Sequence, residues 1–513
     1  MSNERALRDF VSGGGASFIA LLLSTVFAFF TKIILARTLG PSGYGLYEMV
    51  LTILGFTAII SSLGFDAGLR RFIPLYNIKD SSYSSGIIRA ALIIQFFTSI
   101  FVALLLLLFA GSIAAFFNFP EIFVKMLYLA AIALPFKKFS SIIGNIFLAH
   151  KKVLISKTGI DIIQKGVLLL GAVTIFLFDL SLIELTLFII ISYFAALIFY
   201  LFNLKHLAKK IKTKKPKYEL KRWFNYSIPL IFVGLLAFFL RWTDNFVIGK
   251  LMTQEDLGIY AVAFGFAIHL FIGSKLFAGV FLPIMTEYYE KDRKQFKNLF
   301  ITVRNWSILF SLLIGSVFIL FADNIILFLF GQEYVAGASS LQVLSVFFII
   351  ANYFFFSIHL LHLEEQTKRI LYGEVFTVIL NLLLTIYLVM QIGILGAAIA
   401  AGFSYFLIRY YFHIQSKKYV RIGHDYVYML KCFVATFGSA LVSYVLTTFI
   451  FSIIPAHFIF YILTAGFFYL ILLVMGIRYL SILKEQDILI IETTEKYTKI
   501  NLDIVKRLLF RRK

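Results

Sequence analysis

Apolar residues dominate the chain in runs of about 20, which are separated by short segments rich in glycine, proline and charged residues. A helix rises 1.5 Å per residue, so about 20 residues cross the ~30 Å hydrocarbon core of a bilayer. The pattern therefore predicts fourteen membrane-spanning helices. Their predicted ranges are 14–36, 44–64, 87–111, 122–146, 155–178, 182–203, 224–248, 258–281, 301–322, 338–360, 370–390, 394–413, 429–450 and 458–477.

The composition excludes a water-soluble protein. Of 513 residues, 60% are hydrophobic and 15% are charged, whereas soluble domains carry ~25% charged residues. The single cysteine, Cys432, excludes an intramolecular disulfide and any cysteine-based metal centre. The sequence has no P-loop, metal-ligand spacing or nucleophile motif. We therefore predict a protein that is not an enzyme, with no catalytic residue, no metal and no cofactor.

The net charge of +21 follows from where the basic residues lie. They concentrate in the even-numbered connections, while the odd-numbered ones hold little more than Arg37 and Lys250. Because short cytoplasmic loops retain lysine and arginine, this asymmetry predicts a multi-pass protein of the plasma or inner membrane with both termini in the cytoplasm. It also argues against a nucleic-acid partner, since no soluble basic domain is left to bind one.

An internal repeat divides the chain. Residues 32–37 align with 245–250 at an offset of 213, and the motif Gly45-Leu46-Tyr47 aligns with Gly258-Ile259-Tyr260. Six spans separate the copies, so both copies enter the membrane in the same direction, as in parallel repeats. The predicted organisation is an N-lobe of six helices (1–205), a basic cytoplasmic linker (206–222), a C-lobe of six helices (223–415), two further helices (416–480) and a basic amphipathic tail (481–513).

Two features of this organisation allow more than one interpretation. The linker is either a solvated tether or a contact to anionic lipid headgroups. Gly45 and Gly258 either act as hinges, because glycine adopts backbone angles closed to other residues, or permit close helix packing.

The start of each lobe resembles a known family. Residues 36–47 read ARTLGPSGYGLY, residues 61–74 read SSLGFDAGLRRFIP, and residues 241–249 read RWTDNFVIG before the second Gly-Ile-Tyr motif. These runs are similar to those of polysaccharide-biosynthesis flippases of the Wzx, or O-antigen, type. That family belongs to the multidrug/oligosaccharidyl-lipid/polysaccharide exporter superfamily. The resemblance implies an all-α polytopic membrane protein with two six-helix lobes that alternate access to a site between them.

Ionisable residues inside apolar spans are functional candidates, because a charge at the membrane centre costs ~2.5–3.5 kcal/mol on insertion scales. The basic candidates for an anion-binding cavity are Lys32, Lys137, Lys138, Lys165, Arg241 and Lys275. Lys32 has no partner at helical spacing, whereas Asp161 with Lys165 and Arg241 with Asp244 are spaced to neutralise each other. The candidates for a coupling site or an ion pair are Asp161, Asp244, His269 and Glu374. The gate and motif candidates are Arg37, Gly45, Tyr47, Asp66, Arg70, Arg71, Lys250, Gly258 and Tyr260.

A cationic cavity suits an anionic cargo. The predicted function is a flippase that moves a polyprenyl-(pyro)phosphate-linked oligosaccharide from the inner to the outer leaflet, for the biosynthesis of a cell-surface glycan. Its partners would be this lipid-linked glycan, membrane lipids, a coupling cation (H⁺ or Na⁺) and other glycan-assembly proteins. Two alternatives within the superfamily stay open: a lipid II-type flippase, and a drug/cation antiporter, for which we would expect a predominantly acidic cavity.

Overall fold

The computed structural model describes residues 2–212, 215–453 and 458–483, together with residue 495. Across these residues the regular elements are helices, and no strand occurs among them. Eleven of the helical segments in this part of the chain are long and apolar enough to cross a membrane. The prediction of an all-α polytopic membrane protein is confirmed.

The chain divides into two compact units, Met1–Gly258 and Ile259–Lys513. In the described residues, unit 1 contains α1 (Ser2–Ser62), α2 (Phe65–Lys79), α3 (Ser81–Phe117), α4 (Glu121–Ala149), α5 (Val153–Lys157), a π-helix (Thr158–Gln164), α6 (Lys165–Phe178), α7 (Leu182–Lys212) and α8 (Leu220–Leu251). The seventh predicted span, α8, therefore packs with the first six. The division into two repeat-related lobes, with the boundaries predicted from the sequence, stays a prediction.

Helix α9 (Gln254–Ala267) begins in unit 1 and continues into unit 2. The rest of unit 2, where described, contains a 3₁₀ turn (Ile268–Phe271), α10 (Ile272–Lys291), α11 (Arg293–Leu320), α12 (Ala322–Phe330), a second 3₁₀ segment (Gln332–Gly337), α13 (Ala338–Tyr353), α14 (Ser357–Leu363), α15 (Thr367–Ser416), α16 (Tyr426–Ile453) and α17 (Phe458–Tyr479). The amphipathic tail predicted from residue 481 lies almost wholly outside the described residues.

Two of the eleven candidate spans are too long for one crossing. The segments Ala20–Ser62 and Thr367–Ser416 have 43 and 50 residues, about twice the length that a bilayer requires. Each contains a bend, at Gly40 (φ 65°) and at Gly393 (φ 62°), where the backbone is left-handed and glycine has no Cβ to clash. With the bends as boundaries, and with α4 as a further apolar helix, each of the fourteen predicted stretches coincides with helix.

Helix α2 is an element that the apolar pattern did not predict, since residues 65–79 were assigned to a connection. Leu63 and Gly64 both have positive φ and end α1, and α2 follows at once. Its apolar face is buried, with Phe65 stacked on Trp223 of α8 at a ring-centroid distance of 4.1 Å. Fifteen residues are too few to cross a bilayer, and α2 packs against α3, α4 and α8 of unit 1.

The second half of the basic linker is bonded to another part of unit 1. Residues 213–214 are outside the described part of the chain, and α7 extends to Lys212. Beyond this gap, the backbone N–H of Lys217 donates to the carbonyl oxygen of Ser82 at 3.1 Å. The Lys217 ammonium also pairs with the Asp80 carboxylate at 3.0 Å. The segment before α8 is therefore bonded to the start of α3.

Candidate functional site

The bend at Gly40 brings the two halves of α1 together and pairs Lys32 with Glu48. The Lys32 Nζ lies 3.4 Å from Glu48 Oε1, and the Tyr44 hydroxyl donates to the same carboxylate at 2.5 Å. The Glu48 side chain is only 8% exposed, so this pair is shielded from water. The sequence predicted no partner for Lys32 at helical spacing, and Glu48 lies outside that spacing because the contact crosses a bend. Glu48 was not predicted at all.

Lys138 is also neutralised by a carboxylate. Its Nζ lies 3.1 Å from Asp66 Oδ2, and the side chain is 5% exposed. The Ser141 hydroxyl and the Asn145 amide donate to Oδ1 of the same aspartate, at 3.1 Å and 3.0 Å. Asp66, predicted to lie at a cavity mouth, is therefore the centre of a hydrogen-bonded network between α2 and α4.

Three other predicted basic residues of unit 1 have polar or aromatic neighbours instead of a carboxylate within 4 Å among the described residues. We call Lys137, Lys165 and Arg241 the basic group. Lys137 Nζ donates to the Leu54 carbonyl oxygen at 3.5 Å and lies 5.5 Å from the Tyr193 ring centre.

Lys165 and Arg241 complete this group. Lys165 Nζ donates to the Ser24 hydroxyl at 3.1 Å and lies within electrostatic range of Arg241. Arg241 is exposed and its guanidinium lies 5.3 Å from the Trp242 ring centre. Lys137 contacts the second half of α1, at Leu54, and Lys165 contacts the first half, at Ser24. The basic group therefore comes from three helices, α4, α6 and α8, of one compact unit.

Asp161 does not form the predicted ion pair with Lys165. It lies in the π-helix and pairs with Lys157 at 3.3 Å. A π-helix has i→i+5 hydrogen bonds and a wider turn than an α-helix, so Asp161 and Lys165 no longer share one face. Lys165 is thereby free to reach α1, although Asp161 still lies within electrostatic range of it.

Asp244 lies on α8 and is 1% exposed. The amide of its neighbour Asn245 donates to the Thr52 hydroxyl of α1 at 2.9 Å, which fixes this stretch of α8 against α1. Arg241, one helical turn earlier, is exposed. The predicted ion pair of Arg241 with Asp244 is not among the ion pairs of the described residues.

The remaining motif cations lie on the surface. Arg37, Arg70, Arg71 and Lys250 are all exposed. The Arg71 guanidinium lies 4.4 Å from the Tyr226 ring centre, and Lys250 Nζ donates to the Phe116 carbonyl oxygen at 2.7 Å. Their predicted gating role stays a prediction.

The two copies of the repeated motif contact each other within unit 1. A Cβ placed on Gly45 would lie 1.8 Å from the Gln254 carbonyl oxygen, and one on Gly258 would lie 2.0 Å from the Pro41 carbonyl oxygen. Pro41 and Gln254 are themselves 213 residues apart, so the contact is reciprocal, as between surfaces related by a two-fold axis.

Both glycines are therefore required by close backbone approach. Neither is among the described glycines with positive φ, which are Gly40, Gly64, Gly331 and Gly393. The close contacts support the packing interpretation, and the hinge role stays a prediction. The motif tyrosines Tyr47 and Tyr260 are both buried.

Besides Tyr260, three predicted residues lie in unit 2. His269 occupies the 3₁₀ turn between α9 and α10, where its ring lies 6.2 Å from that of Phe266. Lys275 is exposed on α10. Glu374 is half-buried on α15 and lies within electrostatic range of Arg409, which the second half of the bent α15 brings back toward it.

Sequence reasoning missed Arg304 and Arg409, the two arginines inside predicted spans of unit 2. Arg304 is 3% exposed. Its guanidinium lies 4.8 Å from the Tyr353 ring centre, and that of Arg409 lies 4.9 Å from the Phe355 ring centre. An ionisable residue within an apolar run was the signal that could have found them.

The chain is similar in sequence to a known family and to a curated relative. Residues 34–339 match a family described as polysaccharide biosynthesis protein, which is more than half of the chain. A curated relative from Haloferax volcanii, the probable low-salt glycan biosynthesis flippase Agl15, is 28% identical over 202 residues. That alignment covers 38% of this chain and 42% of the relative, so it spans less than half the length of either protein.

Solved structures show the fold. A lipid II flippase MurJ structure in an inward closed conformation aligns with a TM-score of 0.63 and 16% identity, over 88% of this chain and 97% of that one. An inward-facing multidrug-resistance transporter of the MATE family and MOP superfamily aligns with a TM-score of 0.63 and 12% identity, over 79% and 98%. A MOP superfamily transporter from Pyrococcus furiosus, described as having a binding pocket of reverse polarity, aligns at 0.54 and 13% identity, over 80% and 95%. The fold is that of the MOP transporters, as the sequence resemblance implied.

Proposed function

The chain belongs to the polysaccharide biosynthesis protein family, and from this premise we propose that it is a flippase for a polyprenyl-(pyro)phosphate-linked oligosaccharide. It moves the lipid-linked glycan from the inner to the outer leaflet by alternating access, with both termini in the cytoplasm. The curated relative, named a probable glycan biosynthesis flippase, supports this class of cargo.

The observation that carries the proposal is the basic group of unit 1. Lys137, Lys165 and Arg241 have no carboxylate within 4 Å in the described part of the chain, whereas Lys32 and Lys138 are paired. A (pyro)phosphate supplies oxygens that bind lysine and arginine by charge-assisted hydrogen bonds, about twice as strong as neutral ones. The basic group therefore favours an anionic headgroup as cargo.

The same observation disfavours the drug/cation antiporter, because cationic cargo would be repelled by this group. A lipid II-type flippase would share an anionic cargo, and only the glycan would differ. The coupling cation, H⁺ or Na⁺, requires an acidic site, for which the buried Asp244 is our candidate.

The test is flipping by the purified full chain in liposomes that contain a polyprenyl-pyrophosphate-linked oligosaccharide. Flipping is followed as accessibility of the glycan to an impermeant lectin. We expect Lys137→Gln, Lys165→Gln and Arg241→Gln each to slow flipping about tenfold or more, since a hydrogen bond to a charged group contributes ~1.5–3 kcal/mol. Lys125→Gln is the matched control, because Lys125 is on α4 but 57% exposed and paired with Glu121.

Undiminished flipping in all three variants would contradict the role of the basic group. Lipid II and an organic cation serve as competing cargoes in the same liposomes. Faster movement of either one than of the linked oligosaccharide would replace the proposed substrate class.

A further inference from the structure

Arg304 of unit 2 is buried and only partly satisfied. Its Nη2 donates to the Gly423 carbonyl oxygen at 2.8 Å, and its guanidinium stacks near Tyr353. The Nε–H group is buried and has no hydrogen-bond partner among the described residues. A buried donor of a charged group is costly to leave unpaired, so an acceptor that reached this atom would be bound favourably.

A second residue with an unpaired atom lines the same cavity as Arg304. His413 Nε2, on α15, is also buried without a hydrogen-bond partner in the described residues. The cavity next to both residues is further lined by Ser416 and Lys417 and has a volume of about 10 Å³. This volume holds about one water-sized atom.

The surroundings of this cavity are positive. Arg304 and Lys417 are cationic, while Asp425 is an acidic group within electrostatic range of Arg304. Burial lowers the pKa of His424, and Arg304 and Lys417 lower it further. His424 Nδ1 is hydrogen-bonded to the Tyr353 hydroxyl at 2.7 Å. The histidine is thus held against the side chain on which Arg304 stacks.

We propose that this cavity, the Arg304 pocket, binds one oxygen of a net-anionic phosphate ester. The oxygen accepts hydrogen bonds from Arg304 Nε and His413 Nε2, and the rest of the phosphate lies at the mouth beside the exposed Lys417. Arginine suits this role, because its guanidinium stays charged and donates several N–H bonds in a fixed plane.

An apolar cavity next to the pocket favours an ester that carries a hydrocarbon chain. It has a volume of about 130 Å³ and shares Phe300 and Leu360 with the Arg304 pocket. Its other walls include Leu282, Met285 and Leu363. A lipid could place its phosphate oxygen in the first cavity and the start of its chain in the second. The Arg304 pocket is lined by Lys417, just after α15, and the apolar cavity by Phe296, near the start of α11. The site is separate from the basic group of unit 1 and does not rest on the proposed flippase function.

The experiment measures ligand binding to the purified full chain in a non-ionic detergent. Phosphatidylglycerol, phosphatidylcholine and inorganic phosphate are added in separate titrations. Binding is read from the thermal unfolding midpoint, and retained lipids are counted by native mass spectrometry. We expect saturable stabilisation by phosphatidylglycerol and at least tenfold weaker affinity in Arg304→Gln, His413→Ala and Lys417→Gln.

The control is Arg369→Gln, because Arg369 is hydrogen-bonded to Gln415 but does not line the pocket. If Arg304→Gln does not fold, the affinity of Lys417→Gln for phosphatidylglycerol tests the proposal instead, since Lys417 is exposed. Stabilisation by inorganic phosphate alone, lost in the same variants, would support the pocket and assign it to a soluble phosphate. Absent binding, or equal loss in Arg369→Gln and the pocket variants, would overturn the proposal.

Discussion

The two units accommodate buried and half-buried basic side chains in different ways. In unit 1, Lys32 and Lys138 each contact a carboxylate of their own unit, at 3.4 Å and 3.1 Å. In unit 2, Arg304 and Arg409 lie over aromatic rings, and the Nε atom of each is buried without a hydrogen-bond partner among the described residues.

The difference follows from the chemistry of the two cations. The lysine ammonium is a compact, strongly hydrated charge, so an opposite charge close by lowers the cost of burying it. The arginine guanidinium is planar and more weakly hydrated, so an aromatic face covers one side and leaves N–H groups at the edge. The paired lysines are thus neutralised within their own unit, whereas the Nε–H group of each arginine has no hydrogen-bond acceptor among the described residues.

The largest expected effect comes from removing the carboxylate at Asp66. Asp66→Leu leaves the Lys138 ammonium buried without its partner, and breaking a buried pair in this way costs about 3–5 kcal/mol. The measurement is the thermal unfolding midpoint of the purified chain in detergent, which we expect to fall steeply. The double variant Asp66→Leu/Lys138→Met should recover most of the loss. A double variant as unstable as Asp66→Leu alone would show that the pair is not what stabilises this contact.

The sequence predicts the membrane spans of both units, but it does not predict the contacts of the basic side chains. The apolar runs predicted the spans because their length is set by the bilayer, and each coincides with helix. The contact of Lys32 with Glu48 was missed because it depends on the bend at Gly40, whose angle no local pattern specifies. The contact of Lys138 with Asp66 was missed because Asp66 lies at the start of α2, an amphipathic helix within a predicted connection.

The candidate site was predicted in part. The basic group was found from charge inside apolar runs, but that criterion alone did not separate Lys137, Lys165 and Arg241 from the paired lysines. The pairing of Asp161 was wrong because the sequence does not reveal a π-helix between α5 and α6. The sequence revealed the repeat, but the reciprocal contact of Gly45 with Gly258 was not predicted, because it depends on close backbone approach between distant segments. The membrane orientation stays a prediction.

A smaller effect is expected in unit 2, where exchanging arginine for lysine tests the role of the aromatic face. Arg409→Lys keeps the charge near Glu374 but loses the planar guanidinium over Phe355. Cation–π contacts that are desolvated contribute about 2 kcal/mol, and exposed ones about 0.5–1 kcal/mol, so the unfolding midpoint should fall modestly. Arg421→Lys, at an exposed position, is the control and should leave the midpoint unchanged. Equal midpoints for Arg409→Lys and wild type would show that the two units do not differ in this respect.

The smallest effect is expected for the exposed ion pair of Asp80 with Lys217, which provides the solvated contrast to the buried pairs. Hydrogen bonds from the Ser82 backbone and from Lys217 lower the pKa of Asp80 to about 2, below the ~3.9 of an unfolded aspartate. A lowered folded-state pKa contributes stability that is present above pH ~4 and is lost as the pH falls from there toward about 2. Asp80→Asn keeps a side-chain oxygen for the Ser82 N–H at the start of α3 but cannot titrate. We therefore expect wild type to lose slightly more stability than Asp80→Asn between pH 5 and pH 2.5. At pH 7 the two proteins should differ little in how their stability responds to salt, because exposed pairs are screened by water. A loss at neutral pH as large as that of Asp66→Leu would mean that the linker contact is as strongly coupled to folding as a buried pair, and the distinction between solvated and buried charge in unit 1 would fail.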